Sequence, residues 1–292
     1  MDGWVIVSIA AIIAVIVYSY YRQFSFSIAA SVLCAALFVM VLAVSDTRDY
    51  RDSTTFVEMA FMPRDLTDPA RCYTVLTSMF SHAGFGHLFW NVLGLAFIGT
   101  AFEQRVGPRP FIIICLVSGL CGTLLFTAFR WNDFVLVVGA SGAISGILGA
   151  FARMFPNERM SLILMFFPLP PMRIWTIVAI FILIQIVIAV GDTNIAVEAH
   201  VGGLIAGMAI APFVVRMPLH RRVKRMMSLN ALRKLAKTSE LKAIMRRIED
   251  EEIPDVRSAW IEEFLRKAKC PHCGARIKVS RDTIRCERGH ML

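Results

Sequence analysis

The stretch FVLVVGASGAISGILGAFA, residues 134–152, runs for nineteen residues without a charge, and its only side-chain hydroxyls are Ser141 and Ser145. A helix needs about 20 apolar residues to cross the hydrocarbon of a bilayer, so this stretch is of membrane-spanning length. Working outward, six more uncharged stretches occur at 3–21, 23–45, 88–102, 110–129, 174–191 and 199–215. The 292-residue chain is 57% hydrophobic with a mean hydropathy of +0.61. Soluble domains hold about 45–50% apolar residues, so a soluble globular protein is excluded. The expected fold class is an all-α polytopic membrane protein. Its helices are predicted at roughly 4–21, 26–45, 86–103, 110–129, 141–155, 172–190 and 198–216.

Charge is uneven. From Arg216 onward the chain holds 20 Lys and Arg against 10 Asp and Glu; this net +10 exceeds the whole chain's +9, leaving about −1 for residues 1–215. Arg22, Arg105, Arg109, Arg153, Arg159, Arg173 and the cluster Arg216–Arg225 fall on one side of a seven-span arrangement. Basic residues mark the cytoplasmic side, so the N-terminus is expected outside and the tail inside. Nucleic-acid binding is disfavoured, because the tail mixes acids with bases and has no stacking-aromatic pattern. The N-terminus opens on Asp2 and not on a basic region, and no small-x-small site clearly ends its apolar run. It reads as a retained span and not a signal peptide. Residues 46–85 form a long loop. Its Phe56, Met59, Phe61 and Met62 fit an interface-lying amphipathic stretch or an ordered loop packed on the bundle.

Chemistry concentrates at a few positions. His82, His87 and His200 are the only histidines before residue 216, and polar groups at membrane depth are functional hypotheses by default. Ser141 is predicted at a helix N-terminus, where unpaired backbone N–H groups and the helix dipole favour an oxyanion. Gly139 and Gly142 flank it and allow a tight turn. Gly142, Gly146 and Ala150 form one small-xxx-small ladder after Ser141, and Gly203 and Gly207 form another after His200. Such ladders let membrane helices approach until their backbones nearly touch, as a Ser–His contact between two helices requires. His87 and Asn91, four residues apart, share a helix face. Glu103 and Arg105 read as a bracing pair at the cytoplasmic end, and Asp192 and Glu198 as solvated.

These motifs together resemble the rhomboid family of intramembrane proteases. HAGFGHLFWN carries His82, His87 and Asn91; GASG spans 139–142; and Ala199-His200-Val201-Gly202-Gly203 runs on to Gly207. The resemblance covers roughly residues 26–216 and implies a six-helix core, with residues 1–25 an added N-terminal helix. It implies a Ser141–His200 catalytic dyad without an acid and without a cofactor for catalysis. It also implies oxyanion donors at His87 and Asn91, a structural role for His82, and cleavage of membrane-anchored proteins in or beside their transmembrane helix. Two positions depart from the family pattern: Ser145 stands where many members carry an aromatic, and Tyr73-Thr74 where many carry Trp-Arg. The alternative is a non-proteolytic rhomboid-like factor that binds or escorts membrane proteins; such relatives usually lack the Ser or the His. A transporter would need ionisable pairs within the spans, and none is present.

The tail divides in two. Residues 217–269 read as basic and helical, with Leu, Ile and Met at helical spacing and a last helix starting at Pro254 with Val256, Trp260 and Phe264. They fit either a leaflet-bound segment or a small packed domain. Residues 270–292 begin CPHCGARIKVSRDTIRCERGH. Cys270, Cys273, Cys286 and His290 would make a closed structural zinc site resembling a zinc ribbon, with His272 as a rival ligand. Reduced thiols fit a cytoplasmic tail, and compact loops fit a prokaryotic cell membrane. The seven cysteines in all are too irregularly spaced for a disulfide framework.

Overall fold

The computed structural model describes residues 2–161, 163–164, 167–168, 170–191, 195–216, 229–251, 254–280 and 283–291. Asp192 and the basic residues between 217 and 225 lie outside them. Two compact units emerge, Met1–Val214 and Val215–Leu292.

In the first unit, seven main helices follow the uncharged stretches. They are α1 (Gly3–Arg22), α2 (Phe26–Val44), α3 (Phe85–Val106), α4 (Pro108–Arg130), α5 (Ser141–Met154), α6 (Ile174–Gly191) and α7 (Val197–Arg216). Six are long and apolar enough to cross a bilayer; α5, with 14 residues, is too short. The reason lies upstream of Ser141. Residues 134–138 are not helical, and Phe61 and Val137 exchange backbone hydrogen bonds of 3.0 and 2.7 Å. The uncharged stretch thus spends its first part as extended chain, and α5 begins only at Ser141, with most of its residues buried.

Several helix ends have identifiable caps. The Asp2 carboxylate accepts from the Trp4 N–H. Pro108 sits in the first turn of α4, where its missing N–H is no loss. Glu103 does not brace Arg105. Its buried carboxylate crosses from α3 to the start of α2, accepting from the Phe26 and Ser27 N–H groups at 2.5 and 2.9 Å and from the Ser25 and Ser27 hydroxyls. Arg105 instead pairs with Glu158 and lies over the Phe151 ring. The unpaired N–H groups and positive dipole end of α2 draw the Glu103 carboxylate, and the Ser25 and Ser27 hydroxyls add two further donors.

The added helix α1 packs on α2 and α4. Its N-terminal end is tied to the long loop, where the Asp2 N–H donates to Glu58 at 2.7 Å and the Thr55 hydroxyl to the Asp2 carboxylate. At its other end the Arg109 guanidinium donates to the Tyr20 carbonyl and lies over the Tyr20 ring. The loop itself is ordered against the bundle. Phe56, Met59 and Phe61 are buried, Tyr50 packs edge-on between Phe38 and Phe56, and Asp65 bonds Arg71, Thr74 and the Met62 N–H. Phe56, Met59 and Phe61 therefore face the protein.

In the second unit, α8 (Leu229–Leu235), α9 (Ser239–Asp250) and α10 (Pro254–Lys267) bury Leu232, Leu235, Leu241, Ile244, Ile248 and Phe264 together. The Thr238 hydroxyl caps α9, and Arg247 covers the Trp260 ring. The apolar faces of these helices are therefore used within a small packed domain. An antiparallel hairpin, Ile277–Ser280 with Thr283–Cys286, follows, and Ile277 packs against the helical core.

Candidate active site

Ser141 occupies the first position of α5. Gly139, two residues earlier, has φ +115°, a conformation that L side chains rarely adopt. A Cβ there would also lie 2.5 Å from His87 Nε2. Gly139 also donates its N–H to the Ser78 carbonyl at 2.8 Å, which fixes the approach to Ser141.

Helices α5 and α7 meet backbone to backbone. A Cβ on Gly203 would sit 2.0 Å from the Gly142 carbonyl oxygen, and one on Gly207 would sit 1.9 Å from that of Gly146. The two small-residue ladders therefore face each other. This approach brings His200 Nε2 to 2.7 Å from Ser141 Oγ, although 59 residues separate them. A nucleophile and a base in hydrogen-bond reach, at the start of a helix, can open an acyl-transfer reaction.

His87 and Asn91 lie one turn apart on α3. They share with Ser141, His200, Ser78 and Trp90 the lining of a cavity of about 510 Å³. The Asn91 amide nitrogen donates to its own helix, at the His87 carbonyl, 2.8 Å away; its buried Oδ1 has no partner among the described residues. His82 is buried, makes no ring hydrogen bond among the described residues, and packs edge-on against His87 with centroids 5.2 Å apart. Glu198, expected as solvated, is half-buried and accepts from Arg130 Nε at 2.8 Å, with Asp133 on the same guanidinium. That ion pair fastens the start of α7 to the end of α4.

Sequence reasoning passed over two residues beside His200. Gln185 Oε1 is 2.7 Å from His200 Nδ1, and the Phe181 ring lies 6.3 Å from the imidazole at 49°. The signal was available: Gln185 is the one amide in the uncharged run 174–191, whose only other polar side chains are the Thr176 hydroxyl and the Trp175 indole N–H. At Ser145, where an aromatic was expected from the resemblance, the hydroxyl donates back to the Ser141 carbonyl at 2.7 Å.

In the second unit, Cys270, Cys273, Cys286 and His290 place one ligand atom each within 4.8 Å of one another. Cys273 Sγ–Cys286 Sγ is 3.6 Å, Cys286 Sγ–His290 Nδ1 3.4 Å and Cys270 Sγ–His290 Nδ1 3.9 Å. Tetrahedral zinc, with bonds of about 2.3 Å to sulfur and 2.0 Å to nitrogen, spaces its ligands at about these distances. Each knuckle turns on a glycine of positive φ, Gly274 at +69° and Gly289 at +88°. His272 is outside the cluster, its ring 5.6 Å from that of His290. Burial raises the Cys286 thiol, but hydrogen bonds from the His290 and Arg288 backbones, with His290 and Cys273 side chains, bring it down to about 6. A thiol poised to ionise suits a metal ligand. The residues fit a closed structural zinc site.

Comparison with known proteins gives one family. The Rhomboid domain model matches residues 69–217, half of the chain. Rhomboid protease GluP of Bacillus subtilis (strain 168) is 30% identical over 161 residues, covering 55% of this chain and 29% of that protein. Putative rhomboid protease YdcA of the same organism is 29% identical over 141 residues, 48% of this chain and 65% of that protein. Inactive RHOMBOID-like protein 8 of Arabidopsis thaliana is 36% identical over 90 residues, 30% of this chain and 26% of that protein. The chain thus spans less than two thirds of the length of each.

Proposed function

The chain belongs to the rhomboid family, and from that premise we propose that it is an intramembrane serine endopeptidase acting on membrane-anchored proteins. The observation that carries the reading is the 2.7 Å contact between Ser141 Oγ and His200 Nε2, made across two helices in backbone contact. His200 takes the Ser141 proton as the hydroxyl oxygen attacks the scissile carbonyl. The Ser141 N–H, free of intrahelical duty in the first turn, and the side chains of His87 and Asn91 receive the oxyanion. His200 then returns the proton to the leaving amine, and water releases the acyl group by the same steps in reverse roles.

In this reading residues 26–216 are the protease core, 1–25 an added helix, 217–269 a basic cytoplasmic segment and 270–292 a zinc-ribbon-like module. The distribution of Arg and Lys supports an outer N-terminus and a cytoplasmic tail in a prokaryotic cell membrane. Zinc, held by Cys270, Cys273, Cys286 and His290, would staple the tail module and take no part in cleavage.

The test is cleavage of a single-span substrate by the purified protein in liposomes, read by gel and mass spectrometry. Cleavage near the outer end of the substrate helix, lost in Ser141→Ala and in His200→Ala, supports the reading. Cleavage that survives Ser141→Ala sinks it. Silence of the wild type across a panel of substrates favours a non-proteolytic binding factor.

A further inference from the structure

Resting on the protease reading, we propose that Gln185 is a positioning residue that sets the tautomer of His200. Helix α6 has no charge, yet it places one amide, 6% exposed, against the imidazole. A buried amide persists only with a partner, and the partner here is His200 Nδ1 at 2.7 Å. On the ring's other nitrogen, Ser141 Oγ stands at the same 2.7 Å. Gln185, His200 and Ser141 form one relay.

The direction of the relay follows from the donor inventory. An amide oxygen only accepts, so Nδ1 must carry the ring hydrogen and Nε2 its lone pair. That is the tautomer able to take the Ser141 proton. With the amide reversed, its NH₂ would donate to Nδ1 and the ring hydrogen would sit on Nε2, where it blocks the transfer. On attack, the Ser141 O–H bond breaks, its proton joins Nε2, and the serine oxygen bonds the substrate carbonyl carbon. The Nδ1 hydrogen stays on the ring, bonded to Gln185, so the new imidazolium meets the negative end of an amide dipole. A neutral amide does this without leaving an ionised carboxylate in an apolar helix bundle.

A second feature of α6 points the same way. Phe181, one helical turn before Gln185, shares its face and lies beside the imidazole. On the nucleophile's own helix, Ser145 is engaged with the Ser141 carbonyl. Two neighbours of the ring, one apolar and one polar, thus come from α6.

The test uses the full chain in liposomes with a single-span substrate, comparing wild type, Ser141→Ala, Gln185→Met and Gln185→Glu, with melting temperatures for each. Met keeps length and packing but cannot accept; Glu keeps the acceptor. Gln185→Met is expected to lower kcat by about 10²-fold, toward the loss seen when a histidine's orienting partner is replaced, with KM within about twofold. Gln185→Glu is expected to retain kcat within about fivefold, as a carboxylate still accepts from Nδ1. Ser141-dependent cleavage with Gln185→Met at wild-type kcat, or with Gln185→Glu as impaired as Gln185→Met, overturns the proposal and leaves the protease reading standing. Cleavage indifferent to Ser141, or no cleavage by the wild type across a panel of substrates, overturns both. Nitrogen-15 NMR of the wild-type His200 ring, assigned against His200→Ala, decides independently of activity. Hydrogen on Nδ1 supports the proposal, and hydrogen on Nε2 overturns it.

Discussion

The two units each bring four or more chemistry-bearing side chains to one point, by opposite means. In the tail, Cys270, Cys273, Cys286 and His290 come from 21 consecutive residues, and two glycine-turned knuckles on a hairpin aim them inward. In the membrane unit, His87, Gly139, Ser141, Gln185 and His200 come from four helices and a loop, and no local turn brings them together. Their alignment depends on α5 and α7 touching along Gly142, Gly146, Gly203 and Gly207. A site made by local chain geometry tolerates change elsewhere; a site made by helix packing is as good as its worst helix contact.

That contrast can be broken at several points. The largest effect is expected at Ser141→Ala, with cleavage down by about 10⁴-fold or more, as for other serine hydrolases that lose their nucleophile, and no change in melting temperature. Gly203→Leu is expected to remove more than about 10³-fold of the activity by another route. The side chain must displace the Gly142 backbone, and overpacking of about 1–3 kcal/mol or more should appear as a lower melting temperature in detergent. If Gly203→Leu melts like wild type and cleaves, the backbone contact is not what holds the dyad. His87→Ala is expected to lower kcat by about 10²–10³-fold, the effect of one lost oxyanion donor, with the fold intact. Glu103→Ala should destabilise the protein by about 2–3 kcal/mol through the lost charged cap on α2 while leaving kcat within a few-fold. The smallest effect on cleavage, less than about twofold, is expected from stripping metal with a chelator. The same treatment should abolish amide-exchange protection in the 270–291 hairpin, since metal binding is folding free energy for so small a module. A chelator that stops cleavage would break the comparison.

Much of this was legible in the sequence, for reasons that differ by residue. Helices α1, α2, α4, α6 and α7 could be placed because hydrocarbon admits only long uncharged runs. Both the start and the shortness of α5 were legible, the helix expected at 141–155 running over Ser141–Met154; the backbone pairing of Val137 with Phe61 across 76 positions, which holds the preceding residues extended, was not. The Phe56–Met62 segment had an apolar face that suited either a membrane surface or a protein surface, and only the bundle could choose. Glu103 was misread because its true partners, the N–H groups of Phe26 and Ser27, lie 77 and 76 residues away. Glu198 was read as solvated for the same reason, its partner Arg130 being 68 residues distant.

Residue type and spacing by themselves determined the membrane class, the order of the helices, the Cys and His residues that cluster in the tail, and Ser141, His200 and the glycine ladders on which the proposed chemistry rests. Those properties depend on hydropathy, on chemical groups and on intervals short enough for one helix or one turn to express. The tertiary structure alone decided which helix supplies the neighbours of His200. Gln185 and Phe181 reach the imidazole from α6, while Ser145 turns back to its own helix. No rule of local spacing connects position 185 to position 200, because the two residues sit on separate helices and meet only once packing has set the distance between them.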